Sequence, residues 1–131
     1  MSASGPVGDL AGMLAGMAPK LDDRSWAFVL VEGEPSADAF AVIREEEGTT
    51  AILPYPAGDF ARITLMVHSA LDGVGLTAAV ASVLAERGIA CNVVAGFHHD
   101  HLFVPWERRE EALEALASLS KASASGEAPS A

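Results

Sequence analysis

The alternation of hydrophobic and polar residues is clearest in the second half of the chain. Residues 62–68 alternate strictly, which predicts a half-exposed strand. Residues 74–87 repeat apolar side chains at helical spacing, which predicts a helix that ends at Gly88. Residues 89–95 alternate again, and after a short polar segment residues 101–105 predict a further strand, so the two strands together predict a β-hairpin.

A final helix is predicted over residues 107–119. Its first turn is acidic, which suits the positive end of the helix dipole, and Leu113, Leu116 and Ala117 are expected to face inward. The remaining residues are mostly Ser, Ala, Gly and Pro, a composition that buries little apolar surface. Segment 120–131 is therefore predicted to be a disordered tail.

The first half of the chain predicts the order helix, strand, helix, strand. Residues 9–17 form the first helix, with Asp9 as its N-cap. Residues 25–32 are aromatic and β-branched and predict a strand buried on both faces. Residues 37–46 predict a second helix because a glycine follows their acidic end, and residues 49–53 predict the next strand.

The element order of the second half, strand, helix, strand, strand, helix, is most of a split βαβ unit. We therefore expect an α+β fold of the ferredoxin-like type, an antiparallel sheet with helices on one face. The first half repeats a reduced version of the same pattern. This indicates two halves, residues 9–60 and 61–119, followed by the tail.

Composition and charge narrow the classes of partner. The 131 residues include 8 Lys plus Arg against 18 Asp plus Glu, a formal charge of −10, so neither nucleic acid nor an anionic membrane is an expected partner. A single cysteine, Cys91, excludes an internal disulfide and is expected to be a small core residue. The chain shows no secretion signal or membrane span, so we expect a soluble, cytoplasmic protein.

The turn at residues 72–76, Asp-Gly-Val-Gly-Leu, and the Gly88-Ile89 start of the next strand resemble an ACT domain. In that family the first strand leads into an Asp-x-Pro-Gly-x-Leu turn, a helix and a Gly-Ile-Asn type of second strand. Asp72 and Gly75 match the turn, whereas Val74 stands where the family has proline.

The resemblance extends in order over residues 9–119 and is strongest over 62–105. It is specifically to small bacterial proteins of unknown function built from two tandem ACT-like halves. It implies a regulatory fold, usually dimeric, that often binds an amino acid at the loop between first strand and first helix. The expected partners are therefore a small amino-acid-like ligand and a second copy of the chain, and no cofactor is expected.

Loop 69–76 is thus the candidate ligand site. A helix N-terminus presents N–H groups to a carboxylate, Gly73 and Gly75 allow a close approach, and Asp72 can attract an ammonium group. In the alternative interpretation, Asp72 only caps the helix and the glycines only turn the chain. The candidate ligand-binding residues are His68, Ser69, Leu71, Asp72, Val74, Gly75, Leu76 and Asn92.

Four histidines raise a second hypothesis. If segment 98–101 is extended, His99 and His101 share a face, and with His68 they are candidate ligands for zinc or a similar ion. The alternative is a polar hairpin turn in which the Asp100 carboxylate accepts an Asx-type hydrogen bond and a histidine packs against the sheet.

Catalysis has weaker support. Ser69 follows His68 directly, and neighbours on a strand point to opposite faces, so the two cannot act as a nucleophile and its base. The leading hypothesis is a non-catalytic sensor. One alternative is a dimerisation module without ligand, which pairs through a face made by Thr64, Met66, Ala90 and Val94. The other is a small metal-dependent enzyme that uses the histidines.

Overall fold

The computed structural model describes residues 6–125. Three α-helices lie at Leu10–Ala15 (α1), Leu76–Glu86 (α2) and Arg109–Ala124 (α3), and a 3-10 turn at Trp106–Arg108 leads into α3. The strands are Pro19–Val31 (β1), Ala41–Glu45 (β2), Gly48–Pro54 (β3), Phe60–Leu65 (β4), Asn92–Ala95 (β5) and Asp100–Pro105 (β6). None of the helices in this described part is long and apolar enough to cross a membrane.

The strands form one antiparallel sheet in the order β2-β3-β1-β4-β6-β5. The second half alone supplies three strands, and the long strand β1 fills the place beside β4 that a fourth strand of a ferredoxin-like unit would take. Its first part pairs with β4 and its last part with β3, and the register shifts between Leu21 and Ser25. The sheet is therefore continuous across the two halves.

The helices cover one face of this sheet, as the sequence predicts. Their buried side chains form the main core together with Ile63 and Leu65 of β4 and Leu102 and Val104 of β6. In α3 the buried residues are Ala112, Ala115, Leu116 and Leu119. Leu113 is only partly buried and Ala117 is exposed. Of the three residues predicted to face inward, Leu116 is therefore confirmed and Ala117 is wrong.

The opposite face, called the open face below, carries a second and smaller cluster. Trp26, Ile52 and Phe103 are buried there, with Phe40, Ala41, Phe60 and Val94 packed against them. Trp26 meets Phe40 and Phe103 edge to face, with ring centroids 5.8 and 6.0 Å apart. Aromatic side chains therefore bury part of a face that no helix covers.

The predicted helix over residues 37–46 is wrong. Ala41–Glu45 is strand β2, which pairs along its length with β3, and Gly48 is the first residue of β3, opposite Glu45, with φ of +154°. Strand 25–32, expected to be buried on both faces, is half exposed, because Leu30 keeps 75% of its surface.

At the other end of the chain, α3 continues through Ala124. The ordered chain thus extends past the predicted start of the tail at residue 120. The rest of that segment, residues 126–131, lies outside the described residues.

Candidate functional site

The loop between β4 and α2 is held by the segment that precedes α1. The Val7 N–H donates to the His68 carbonyl over 2.7 Å, and the Ala70 N–H donates to the Val7 carbonyl over 2.9 Å. On its other side, the Ser69 hydroxyl donates to Asp100 at 3.4 Å. Residues distant in sequence therefore determine where this loop lies.

Helix α2 begins without a side-chain cap. Gly75 is the N-cap residue, with φ of +104°, and no side chain accepts a hydrogen bond from the first turn. The interpretation of Asp72 as the cap is wrong, because its carboxylate is exposed and precedes the N-cap by three residues. The first N–H groups of the helix, from Leu76 onward, have no acceptor within the helix.

Helix α1 packs against the same loop. A Cβ added to Gly73 would lie 3.1 Å from the Met13 sulfur, and one added to Gly75 would lie 3.2 Å from a methyl group of Leu10. These glycines therefore permit close packing of α1, in addition to any approach of a ligand.

A hollow of about 90 Å³ remains between α1, the loop and the start of β6, and is called the helix-side hollow below. Apolar side chains of Met13, Leu71 and Leu76 contribute to its wall, and Ser69 and Asp100 bring polar groups into it. Its lining residues are Met13, Ser69, Ala70, Leu71, Gly73, Leu76, Thr77, Ala95 and Asp100. Burial raises the pKa of the Asp100 carboxyl, and the hydrogen bond from Ser69 opposes this rise.

The structure brings together only part of the predicted ligand set. Ser69, Leu71 and Leu76 line the hollow, whereas Val74 is 82% exposed and outside it. Asn92 pairs with Phe103 at the far end of β5. His68 contacts aromatic rings instead, with its ring centroid 5.2 Å from that of His98 and 6.1 Å from that of Phe97.

Met13, Thr77 and Asp100 line the hollow but are absent from the ligand set predicted from the sequence. Met13 reaches the hollow only because α1 folds back over the loop. From the sequence, Asp100 is interpreted as a turn residue or as a partner that orients His68 near the ligand loop, and in the structure its partner there is Ser69. Its place opposite Leu65 in the β4–β6 ladder puts its carboxylate beside Ser69.

The histidines divide between two places. His99 and His101 lie on the open face with ring centroids 6.5 Å apart, and the His101 Nδ1 is hydrogen-bonded to the Thr64 hydroxyl at 2.9 Å. Burial, Arg62 and His99 lower the pKa of His101 to about 4, which leaves its ring neutral at pH 7. Within residues 6–125, no group of three His, Cys, Asp or Glu side chains is placed to hold a metal ion. The proposed trio of His68, His99 and His101 is therefore not assembled.

Cys91 is partly buried against the main core, as its strand position predicts. Burial raises the pKa of its thiol to about 11. A thiol with such a pKa is almost entirely protonated at neutral pH and is a poor nucleophile.

Comparison with known proteins places this geometry in a family. Two ACT domain family models match, one over residues 61–118 and the other over residues 6–66. The solved structure of a protein of unknown function from Vibrio cholerae, described as a possible transport protein, is 40% identical. It aligns over 81% of this chain and 92% of its own, with a TM-score of 0.71.

Two more distant structures share the fold alone. A protein from Agrobacterium tumefaciens is 22% identical over 78% of this chain and 87% of its own, with a TM-score of 0.62. The ligand-free regulatory subunit of aspartate kinase from Thermus thermophilus is 11% identical over 79% of this chain and 97% of its own, with a TM-score of 0.61. No curated protein matches this sequence. The family models together span both halves and confirm the resemblance in the sequence: the chain belongs to the ACT domain family.

Proposed function

We propose that this protein is a non-catalytic regulatory module that binds a small amino-acid-like ligand in the helix-side hollow. ACT domains are commonly regulatory modules that bind ligands, and the fold shared with an aspartate kinase regulatory subunit agrees with such a role. The observation that carries the proposal is that the partly buried carboxylate of Asp100 and an uncapped helix N-terminus border the same small hollow.

The two polar ends of the hollow suit the two charged groups of an amino acid. The open N–H groups of α2 carry partial positive charge and can donate hydrogen bonds to a carboxylate. Asp100 offers an oxygen to an ammonium group, and an ammonium group there would offset the burial that raises its pKa. Met13, Leu71 and Leu76 supply an apolar wall for a short side chain.

The size of the hollow limits the ligand. A volume of about 90 Å³ corresponds to about three water molecules at their share of liquid volume. Glycine, alanine and serine are the amino acids of that size. A larger side chain would require α1 to move, since Met13 closes one side of the space.

A thermal-shift comparison tests this proposal. Alanine should raise the Tm of the parent protein, because a ligand that binds the native state alone stabilises it. Asp100→Asn should remove the shift. Asp72→Asn is the matched control, because it makes the same change in an exposed carboxylate outside the hollow. If glycine, alanine and serine all leave the parent unshifted, or if both variants respond as the parent does, the site is refuted.

A dimerisation module without ligand is the second candidate, and exposed apolar side chains favour it. Leu30 and Ile43 both lie opposite Thr50, so they flank it in one row across three strands on the open face. Leu30 is 75% exposed and Ile43 is 41% exposed. Apolar residues that cluster on a surface mark sites of protein association.

We propose that a second copy of the chain covers this row in a homodimer. Light scattering should then give twice the mass of the chain, and Leu30→Glu should halve it by placing a charge in the contact. Arg44→Glu, a charge change on the opposite side of β2, is the control and should leave the dimer intact. A monomeric mass for the parent at tens of micromolar would refute the dimer.

A further inference from the structure

A second hollow lies on the open face of the sheet, where no helix packs. It has a volume of about 240 Å³ and is bordered by the first part of β1, by β4 and by the approach to β6. This is below the roughly 300–1,000 Å³ of sites for drug-sized ligands, and it suits a small metabolite. Polar groups line it, chiefly those of Lys20, Asp22, Arg62, Thr64, His99 and His101.

Arg62 is the central feature of this open-face hollow. Its guanidinium carbon lies over two aromatic rings, 4.7 Å from the centroid of Trp26 and 4.8 Å from that of Phe40. Its Nε is buried and has no hydrogen-bond partner. Among the ion pairs of residues 6–125, none includes Arg62. Burial lowers its pKa, but a guanidinium keeps its charge in proteins.

Asp22, the carboxylate that lines the hollow, already accepts hydrogen bonds from two other side chains. Asp22 accepts a hydrogen bond from the Trp26 indole N–H at 2.8 Å and another from Arg24 at 3.2 Å. Lys20 adds a second positive charge at the rim. The hollow is therefore locally positive, although the chain as a whole carries a formal charge of −10.

A second buried polar atom in the hollow also lacks a partner. The Nδ1 of His99 has none, whereas the neighbouring His101 is satisfied by Thr64. Both atoms, the Arg62 Nε and the His99 Nδ1, are shielded from solvent, so the groups that Arg62 and His99 can offer to an occupant are the remaining nitrogens of their side chains. An occupant with oxygen atoms can accept from the guanidinium and offset its desolvated charge.

We propose that the open-face hollow binds a small organic acid, whose carboxylate is held by Arg62 and Lys20. A carboxylate is planar and matches the fixed fork of guanidinium N–H groups, so the pair forms two parallel hydrogen bonds. The site needs no ammonium group on its ligand, because Asp22 is committed to Trp26 and Arg24. It is distinct from the helix-side hollow, which lies on the other face of the sheet and offers a carboxylate and helix N–H groups.

Calorimetric titration with succinate tests the assignment. Succinate should bind the parent protein, and Lys20→Gln, a change at an exposed residue, should weaken the binding several-fold. Arg62→Lys keeps the charge but loses the fork and should weaken binding about tenfold or more. Arg44→Gln removes a positive charge from an exposed position on β2 and is the control, with affinity unchanged.

Three outcomes would overturn the proposal: no heat with the parent, equal affinity of the parent and Lys20→Gln, or inorganic phosphate bound as tightly as succinate. If circular dichroism shows that Arg62→Lys does not fold, the succinate affinities of Lys20→Gln and Arg44→Gln still test the proposal. The two sites are separable. Asp100→Asn should leave succinate binding unchanged, and Lys20→Gln should leave the alanine-induced Tm shift unchanged.

Discussion

Replacing Gly75 with alanine should destabilise the protein by about 2 kcal/mol. Its φ of +104° lies in a region that side chains with a Cβ rarely adopt, and such a conformation costs roughly 1–3 kcal/mol. The added Cβ would also press on Leu10 at 3.2 Å, tighter than ordinary contact. Two effects reduce the loss. Leu10 is 39% exposed and can turn away, and alanine lowers the entropy of the unfolded chain by roughly 0.4–1 kcal/mol.

Gly88→Ala is the matched control, because Gly88 also has a positive φ, of +70°, but no atom lies within 4 Å of its added Cβ. It should cost about 1 kcal/mol, the conformational part alone. Urea unfolding followed by circular dichroism gives both values. Adding Leu10→Ala should recover part of the loss in Gly75→Ala and none in Gly88→Ala. If Gly75→Ala is as stable as the parent, the positive φ of Gly75 does not cost the expected free energy. If Leu10→Ala has the same effect in both variants, Leu10 does not resist the added Cβ.

Three further results are expected. The pKa of His101 falls from 6.5 to about 4 on folding, so the free energy of unfolding should drop as the pH falls from 6.5 towards 4, where the unfolded chain binds the proton first. In urea titrations, His101→Gln should make the free energy of unfolding depend less on pH over this range. The raised pKa of Asp100 favours the folded state as the pH falls, and it does so equally in the parent and in His101→Gln. Cys91, with a pKa raised to about 11, should react with a thiol reagent at neutral pH far more slowly in the native state than in denaturing urea, and equal rates would contradict its burial. Trp26→Phe keeps the ring contacts but removes the hydrogen bond to Asp22, and should cost roughly 1.5–3 kcal/mol in the same unfolding assay.

The second half of the fold could be predicted because its strand 62–68 and its helix 74–87 each match the hydrophobic repeat of one structure only, two residues for a strand or 3.6 residues for a helix. Residues 62–68 alternate so strictly that a helix would bury polar groups, and 74–87 has the opposite property. Residues 37–46 carry signals for both structures, since Phe40 and Ile43 have the spacing of a helix face whereas Val42 and Ile43 are β-branched and favour a strand. Their pairing with β3 decided the outcome, and a hydrogen-bonded partner strand cannot be read from local spacing.

The candidate sites were harder to predict than the fold, for a related reason. The glycines and the start of the following helix indicate a loop at residues 69–76, so the position of this loop could be predicted from the sequence. Asp100 joins that loop through the β4–β6 register, and Met13 joins it through the packing of α1. Arg62 gave no signal at all, because a single arginine on an alternating strand is typical of a solvent-exposed face. The environment of its guanidinium depends on Trp26 of β1 and on Phe40, which directly precedes β2.

The two hollows lie back to back on one pair of strands. Thr64 pairs with His101 on the open face, and the next pair, Leu65 with Asp100, faces the helices. Because side chains alternate along a strand, a shift of one residue would exchange the two sets and place Asp100 in the open-face hollow beside Arg62. That carboxylate would neutralise the guanidinium and leave the helix side without its anion. The register of this ladder therefore places the Asp100 carboxylate in the helix-side hollow and keeps it away from Arg62.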